Sequence, residues 1–437
     1  MAHNDFRGFV NVRIGPRVLA GHEITLRSAR FDDFDDWRRI RLRDQPRIEP
    51  FWITDPAPWS ERHTRRRWVR ECLESRTAAK QQTALSLVID VDGRLRGQCG
   101  LSEVDFHQSS AELGAWVDAE LPGAGALAVA MLIDHATREC GLTRVIAINR
   151  GAESPAGRQC KRLGARVEAV MAEALHVGGE RRDHTVWSLR ADDLPPNGLA
   201  NTVLGMYENA PTRSSSEHPA PSRRRAHLGA GMLVARERLR YLAGQLRREW
   251  RDRRQPTAPD LGRPGVDPII LRAQRRTSGE SVTGTDYDVL VDGRFVGRCG
   301  LRTTDWVRST AELWLSIASS ARNANIEAAE RDAGGSDETA RNEEAAQPLH
   351  ARLLGILLRH VFDDLGMHRA ALLLLPSDTA ELAAVDDVGM TREGSAYASI
   401  DLRGRRGDHE LWAIIAPTWR RQASDRSTGK GYARTSE

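Results

Sequence analysis

The chain has 437 residues, enough for two or three domains, with 28% charged and 40% hydrophobic side chains and a formal net charge of +4. No apolar run approaches the ~20 residues that cross a bilayer, the opening stretch MAHNDFRGFV lacks the charged-then-apolar pattern of a secretory signal, and the five cysteines form no C-x-x-C pair. These features argue against a membrane protein, a disulfide framework or a zinc site; a cytoplasmic protein with reduced thiols and no metal is expected, and the small positive charge is only a weak pointer to an anionic partner.

In chain order, EITLRSA (23–29) reads as a first strand. FDDFDDWRRIRLR (31–43) and SERHTRRRWVRECLESR (60–76) read as two helices, the first with acids early and arginines late, as the helix dipole favours. TALSLVIDV and RLRGQCGLS flank Asp92-Gly93, a strong hairpin signal because glycine tolerates the positive φ of such turns. AELGAWVD is the next strand, followed by a helix from about Ala124 to Cys140 and the strand TRVIAIN. SPAGRQCKRLGA is a short helix stopped by Gly164, and two strands follow near 166–177 and 183–190. The order is β-α-α-β-β-β-α-β-α-β-β.

Much of this order recurs. VDGRLRGQCGL at 91–101 returns as VDGRFVGRCGL at 291–301, and AEL at Ala111–Leu113 returns at Ala311–Leu313. Further on the offset grows by 25: GLTR at Gly141 matches GMHR at Gly366, the LGA ending at Ala165 matches the VGM ending at Met390, and DHTVW (Asp183–Trp187) matches DHELW (Asp408–Trp412). Colinear matches with one clean gap indicate a tandem duplication. The expected organisation is a first domain over 1–192, a Pro/Ser-rich linker over 193–265, a second domain over 266–420 with an acidic insertion near 320–347, and a polar tail at 421–437, expected to be disordered. Within the linker, MLVARERLRYLAGQLRREWRDRR predicts a basic helix near 231–254, with Leu233, Leu239, Leu242 and Leu246 near helical spacing. It is read as packed on the second copy with its arginines solvated; an RNA or ribosome contact is the alternative. The second copy is shortened at its front, with about 20 residues between PIILR and the Asp-Gly turn.

The segment AWVDAELPGAGALAVA runs from a strand into a glycine turn and a helix start. Unbonded amides in a first helical turn, and the positive end of the helix dipole, favour an anion there. Here the first copy, over roughly 20–192, resembles the GNAT-family N-acetyltransferases of the RimJ/RimL type, which acetylate N-terminal amines of ribosomal proteins. The resemblance rests on ITLRSARFDDFDDW, DGRLRGQCGL, SAELGAWVD, ECGLTRVIA and CKRLGARVEAVMAEALHVGGERRDHTVWSL. It implies an α/β fold (α+β mixed sheet) in two tandem GNAT-like domains, the second degenerate, and acetyl-CoA as co-substrate. By position it puts Gly123, Ala124, Gly125, Ala126 and Leu127 at the diphosphate, Val117 by the pantetheine arm, and Asn149 and Ser154 on that arm's other side. The chain departs from the family at Pro122, where arginine or glutamine is usual, at Leu127 for alanine, at Ser154 for asparagine and at Gly157 for serine. In the second copy AELWLSIA runs into an acidic stretch with no glycine turn, and carboxylates there would repel a diphosphate. That half is expected to lack the cofactor site and to act as a structural partner or help shape the acceptor groove.

The implied reaction is direct attack of an amine on the thioester, with backbone N–H groups stabilising the oxyanion, a base taking the amine proton and an acid assisting the thiolate. Many relatives use a tyrosine as that acid, but Tyr207, Tyr241, Tyr287, Tyr397 and Tyr432 all lie outside the first copy's body. Ser154 is a replacement candidate or simply a helix N-cap. Glu112 and Glu173 are candidate bases, each with a plainer reading as a salt-bridging carboxylate. His184 and His409, present in both copies, are read as packing residues, and Cys99 and Cys299 as buried strand residues. Trp52 and Trp59 are candidates for an aromatic wall of the acceptor groove or for core packing. The expected activity is N-acetylation of a primary amine, a protein N-terminus or a small amine, at one site in the N-terminal copy; the alternative is a non-catalytic acyl-CoA binder or scaffold.

Overall fold

The computed structural model describes residues 8–207, 231, 233–244, 258–262, 267–274, 284–305, 308–317, 348–401 and 403–427. The insertion near 320–347, Leu246, Tyr432 and most of the basic and Pro/Ser-rich linker lie outside the described residues. The chain divides into two compact units, with breaks after Val167, Leu175 and Arg254, so that residues 168–175 cluster with the second unit.

The first unit begins with a hairpin of β1 (Arg13–Leu19) and β2 (His22–Arg27). The sequence reading found β2 but not β1, whose mostly exposed side chains give no apolar signal. Helix α1 (Phe34–Arg43) buries Phe34, Trp37 and Ile40 and carries its acids in the first turn and arginines in the last. Two single turns follow, α2 (Gln45–Ile48) and α3 (Trp59–Arg62). Helix α4 (Arg65–Gln81) is capped by Thr64, whose hydroxyl accepts from the Arg67 amide at 3.2 Å.

Strands β3 (Leu85–Val91), β4 (Arg94–Asp105) and β5 (Ser110–Val117) form an antiparallel meander. Helix α5 (Ala124–Arg138) then crosses to β6 (Arg144–Asn149), which runs parallel to β5. Helix α6 (Pro155–Arg162), β7 (Arg166–Val177) and β8 (Glu180–Arg190) close the expected element order. The strands lie in the order β1-β2-β3-β4-β5-β6-β8-β7. A last helix, α7 (Leu199–Met206), falls where the sequence reading placed linker. Its first amides, of Leu199 and Ala200, donate to the Asp134 carboxylate on α5 at 2.8 and 2.9 Å. The short helix is therefore tied to α5 at its start.

The core under α5 joins Leu127, Met131, Leu132 and Ile133 to Leu26, Leu87, Ile89 and Leu101. A second cluster, of Phe34, Trp37, Ile40, Trp59, Trp68, Val88, Leu95 and Trp116, fills the other face of the sheet. The described part of the basic helix, 233–244, belongs to this first unit. Its Glu237 carboxylate lies 3.0 Å from Arg66 on α4, while Leu239 and Leu242 are 69% and 55% exposed. The helix thus makes an ion pair to the first unit, and those two leucines are largely exposed among the described residues.

The second unit contains β9 (Ile269–Ala273), β10 (Gly284–Val291), β11 (Arg294–Asp305), β12 (Thr310–Ile317), α8 (Leu349–Arg359), β13 (Arg369–Leu374), α9 (Thr379–Asp387), β14 (Thr391–Ile400), β15 (Arg406–Ile415) and α10 (Ala416–Ser427). Residues 421–427 of the expected tail are therefore helical. Its strand order is β9-β10-β11-β12-β13-β15-β14, the same as β2 through β7 of the first unit. Fine details recur as well. Asp92-Gly93 and Asp292-Gly293 all take positive φ, and both hairpins shift register just ahead of the turn, at Ile89/Asp90 and Val289/Leu290. A Cβ on Gly97 or Gly297 would meet the carbonyl oxygen of Trp116 at 2.5 Å or of Ser316 at 2.4 Å.

Candidate active site

The site is built on one interrupted strand pair. β5 and β6 pair only from Ser110↔Arg144 to Glu112↔Ile146, and beyond that point they part. Gly114 and Ala115, in the middle of β5, are exposed, which a central strand shows only where its neighbour has left it. Glu112 sits at the fork. Side chains alternate along β5. Val117 faces α5, and Trp116 faces the opposite cluster with Trp37 and Ile40.

At the end of β5 the chain turns through Leu121–Gly123 into α5. Gly123 is the N-cap, with φ 85°, and no side chain caps the helix. The Ala124 amide reaches back to Leu121 O at 3.3 Å, and the Leu127 amide is bonded to Gly123 O at 2.9 Å. The amides of Gly125 and Ala126 have no acceptor among the described residues. Of the residues the sequence placed at a diphosphate, these two and Gly123 therefore carry the unbonded donors among the described residues, while Leu127 is fully buried and belongs to the helix ladder. A Cβ at Gly125 would lie 2.8 Å from Val117 Cγ1, so Val117 packs directly on the turn. Arg47 donates to the Val117 carbonyl, anchoring the end of β5.

Asn149 and Ser154 lie together after β6. Asn149 Oδ1 accepts from the Gly151 amide (3.2 Å), Ser154 Oγ (3.4 Å) and Trp187 Nε1 (3.2 Å). Ser154 caps α6: its Oγ accepts from the Gly157 amide at 2.9 Å and donates to Gly151 O at 2.8 Å. Gly157 is required here, since a Cβ would fall 2.0 Å from Gly151 O. Glu173 is on β7, at φ 45°, inside the stretch that clusters with the second unit; its Oε2 is 2.9 Å from His368 Nε2. The two candidate tryptophans divide: Trp59 is 3% exposed and donates to Arg41 O at 2.8 Å, whereas Trp52 is 39% exposed. His184 and His409 are buried and make the same local contact, Nδ1 donating to the carbonyl two residues back, at 2.8 Å (Arg182) and 3.0 Å (Gly407). Cys99 and Cys299 are buried, and burial pushes the Cys99 thiol up to about 12.

Sequence reasoning missed Tyr207. It follows α7 directly, and its ring lies beside Gly123: a Cβ there would sit 2.9 Å from Tyr207 Cε1. The run LANTVLGMY does carry apolar residues at helical spacing, Leu199 and Val203, but its neighbours Pro195-Pro196-Asn197-Gly198 read as linker.

Residues 23–166 match the family model described as "Acetyltransferase (GNAT) domain". Mycobacterium smegmatis RimJ, solved in complex with CoA-disulfide, is 31% identical over 46% of this chain and 96% of its own, with a TM-score of 0.43. The chain belongs to the RimJ/RimL-like GNAT acetyltransferases. Two further solved acetyltransferase structures share less identity with the chain. The ribosomal-protein-S5-alanine acetyltransferase of Vibrio fischeri is 20% identical over 40% of this chain and 96% of its own, with a TM-score of 0.36. The microcin C7 self-immunity acetyltransferase MccE, in complex with acetyl-CoA and AMP, is 18% identical over 38% and 92%, with a TM-score of 0.35. No curated protein matches the chain. As a GNAT acetyltransferase it is an acyltransferase, with acetyl-CoA as co-substrate. Among the described residues no helix is long and apolar enough to cross a membrane.

The GNAT unit's parted strands have a counterpart in the second unit that is filled. β12 and β13 pair one residue further, to Leu313↔Leu372. Past that point Arg403 donates to Leu315 O at 2.9 Å, and Asp378 (2.6 Å) and Asp401 (3.1 Å) accept from the same guanidinium. Arg405 bonds the same two aspartates. What is left between the strands is a cavity of about 10 Å³ lined by Glu312, Leu315, Asp401 and Arg403, room for one water at most.

Proposed function

We propose that this chain N-acetylates a primary amine, on a protein N-terminus or a small molecule, at a single site in the first unit, and that the second unit is a degenerate tandem copy. One observation supports this reading: the amides of Gly125 and Ala126 are unbonded at the start of the helix that follows the stretch of β5 parted from β6. The diphosphate would lie on those amides and on Gly123 and Ala124, where the positive end of the helix favours it. Val117 would border the pantetheine arm on one side, with Asn149 and Ser154 on the other. Acetyl-CoA supplies an activated acyl group. The chain supplies orientation, and the unpaired backbone amides of the parted strands supply donors for the oxyanion.

Glu112, at the fork, is our first choice for the base, acting through a water on the amine proton. Glu173, paired with His368, is the second. Ser154 remains the candidate acid, although its hydroxyl serves as the cap of α6. That commitment favours a second reading, a non-catalytic acyl-CoA binder. The RimJ relationship supports a ribosomal protein N-terminus as acceptor. The identical strand order and the shared Asp-Gly hairpins support duplication, and the Arg403 cluster supports the single site.

The test is acetyl transfer by the full chain from acetyl-CoA to peptides bearing ribosomal-protein N-termini and to a panel of small amines. Turnover lowered at least tenfold by Glu112→Gln is expected. Coenzyme binding with no amine ever acetylated would favour the binder.

A further inference from the structure

Arg41 is the one residue of α1's buried face whose charge the described residues leave without a hydrogen-bonding partner. It is 3% exposed, and its Nε and Nη1 make no hydrogen bond. Its guanidinium carbon lies 4.0 Å from the centroid of the Trp52 ring and 4.3 Å from that of Trp116. The carboxylate of Glu71 acts on it through space and accepts instead from Gln98 Nε2 at 2.9 Å. Gln98 Oε1 in turn accepts from Trp116 Nε1 at 2.9 Å, so the hydrogen bonds around the cage close on themselves and pass Arg41 by. Burial lowers its pKa to about 10, with Glu71 opposing, so it stays charged at neutral pH.

A buried cation without hydrogen bonds is costly, and ring faces compensate only part of that. Rings cover the guanidinium faces, and its unbonded N–H edge, buried in this structure, matches a carboxylate in two-point geometry once the Trp52 side is opened. The position is equally telling. Trp116 is on the parted stretch of β5, next to Val117 but facing away from α5. Coenzyme from the α5 side and acceptor from the Trp116 side would meet across this strand. Trp52, on the outer side of Arg41, is 39% exposed and flanked by Phe51 and Ile53 at 44% and 38%. It stands edge-on to Trp59 and belongs to none of the core clusters, so its displacement would leave those clusters intact.

We propose that Arg41, held between Trp116 and a movable Trp52, recognises a carboxylate on the acceptor close to its reactive amine. The inference rests on the first unit being the acetyltransferase site. A carboxylate of this kind has two sources: an acidic second residue of a peptide, or the α-carboxylate of a small amino acid.

Calorimetry on the full chain saturated with coenzyme A separates them without turnover. Alanyl-glutamate amide is compared with alanyl-glutamine amide, and alanine with alaninamide. In one of the two pairs the carboxylate-bearing member is expected to bind roughly tenfold to a hundredfold tighter. Arg41→Met should erase that preference and Arg41→Lys should shrink it. Equal affinity within both pairs for the wild-type chain overturns the proposal, as does a preference that survives in Arg41→Met. Acetylation of the preferred acceptor is then assayed separately. A binding preference without acetyl transfer would count against the acetyltransferase reading and leave the role of Arg41 standing.

Discussion

The ring of Tyr207 packs against the α-carbon of Gly123, so that a side chain at Gly123 would run into Cε1 at 2.9 Å. The ring sits beside the left-handed N-cap of α5, and Asp134, bonded to the first amides of α7, ties the helix that precedes it to the same α5. The ring is therefore a wall of the turn at which we propose the diphosphate binds. Tyr207→Ala is expected to weaken coenzyme A binding about tenfold, the loss of one well-packed aromatic contact, and Tyr207→Phe to leave it unchanged. Asp134→Ala, which removes the cap of α7, should cost about 1 kcal/mol of stability and weaken binding in the same direction. Titration calorimetry and thermal melts check both.

Pro122 stands where the family's loop carries arginine or glutamine, and it is exposed. Pro122→Arg is expected to tighten coenzyme A binding roughly twofold to fivefold, the scale of one solvent-exposed ion pair. The gain should shrink at high salt, and titrations at two ionic strengths read it.

Arg403 fills the second unit's counterpart of the cleft. Removing it takes one cation from Asp378 and Asp401, which keep Arg405, and from Glu381; these side chains are 8%, 3% and 3% exposed. Arg403→Ala should destabilise that unit by about 2 kcal/mol, the scale of lost charge-assisted hydrogen bonds, seen as a lower melting temperature, and create no second coenzyme site.

His63 gives the first unit an acid-sensitive step. It is buried against Trp37 and Trp59, and its Nδ1 donates to Trp59 O at 2.6 Å. Burial first, then the charges of Arg41, Arg62 and Arg38, lower its pKa from 6.5 to about 4, partly offset by the bond to Trp59. The unfolded chain thus takes up the proton before the folded one does. The stabilisation is complete above pH 6.5 and is lost as pH falls toward 4, amounting to about 3 kcal/mol. Urea denaturation at several pH values should show His63→Gln losing less stability than the wild type between pH 6.5 and 4.5.

Local chemistry made much of this legible in the sequence. Asp92-Gly93 and Asp292-Gly293 announce their hairpins because the turn needs positive φ at both positions. The apolar run after Gly123 announces a helix buried nearly all round. Tyr207 was hidden because a helix as short as α7 depends on tertiary contacts, its cap at Asp134 and its burial against α5, which spacing along the chain does not reveal. The plug in the second unit was hidden for the same reason. Asp401, Arg403 and Arg405 read as a polar turn until folding brings Asp378 and Leu315 beside them. Trp52 and Trp59 are alike in sequence and opposite in burial, since only Trp59 finds a backbone carbonyl inside the core.

The decisive measurement is a calorimetric titration of coenzyme A into the full chain and into Gly125→Asp, with circular dichroism to confirm that the variant folds. One coenzyme per wild-type chain is expected. The aspartate, whose carboxylate would stand beside the diphosphate and whose Cβ would displace Val117, is expected to abolish binding. No binding by the wild type, two coenzymes per chain, or a folded Gly125→Asp variant that binds as tightly as before would contradict a cofactor site at the start of α5.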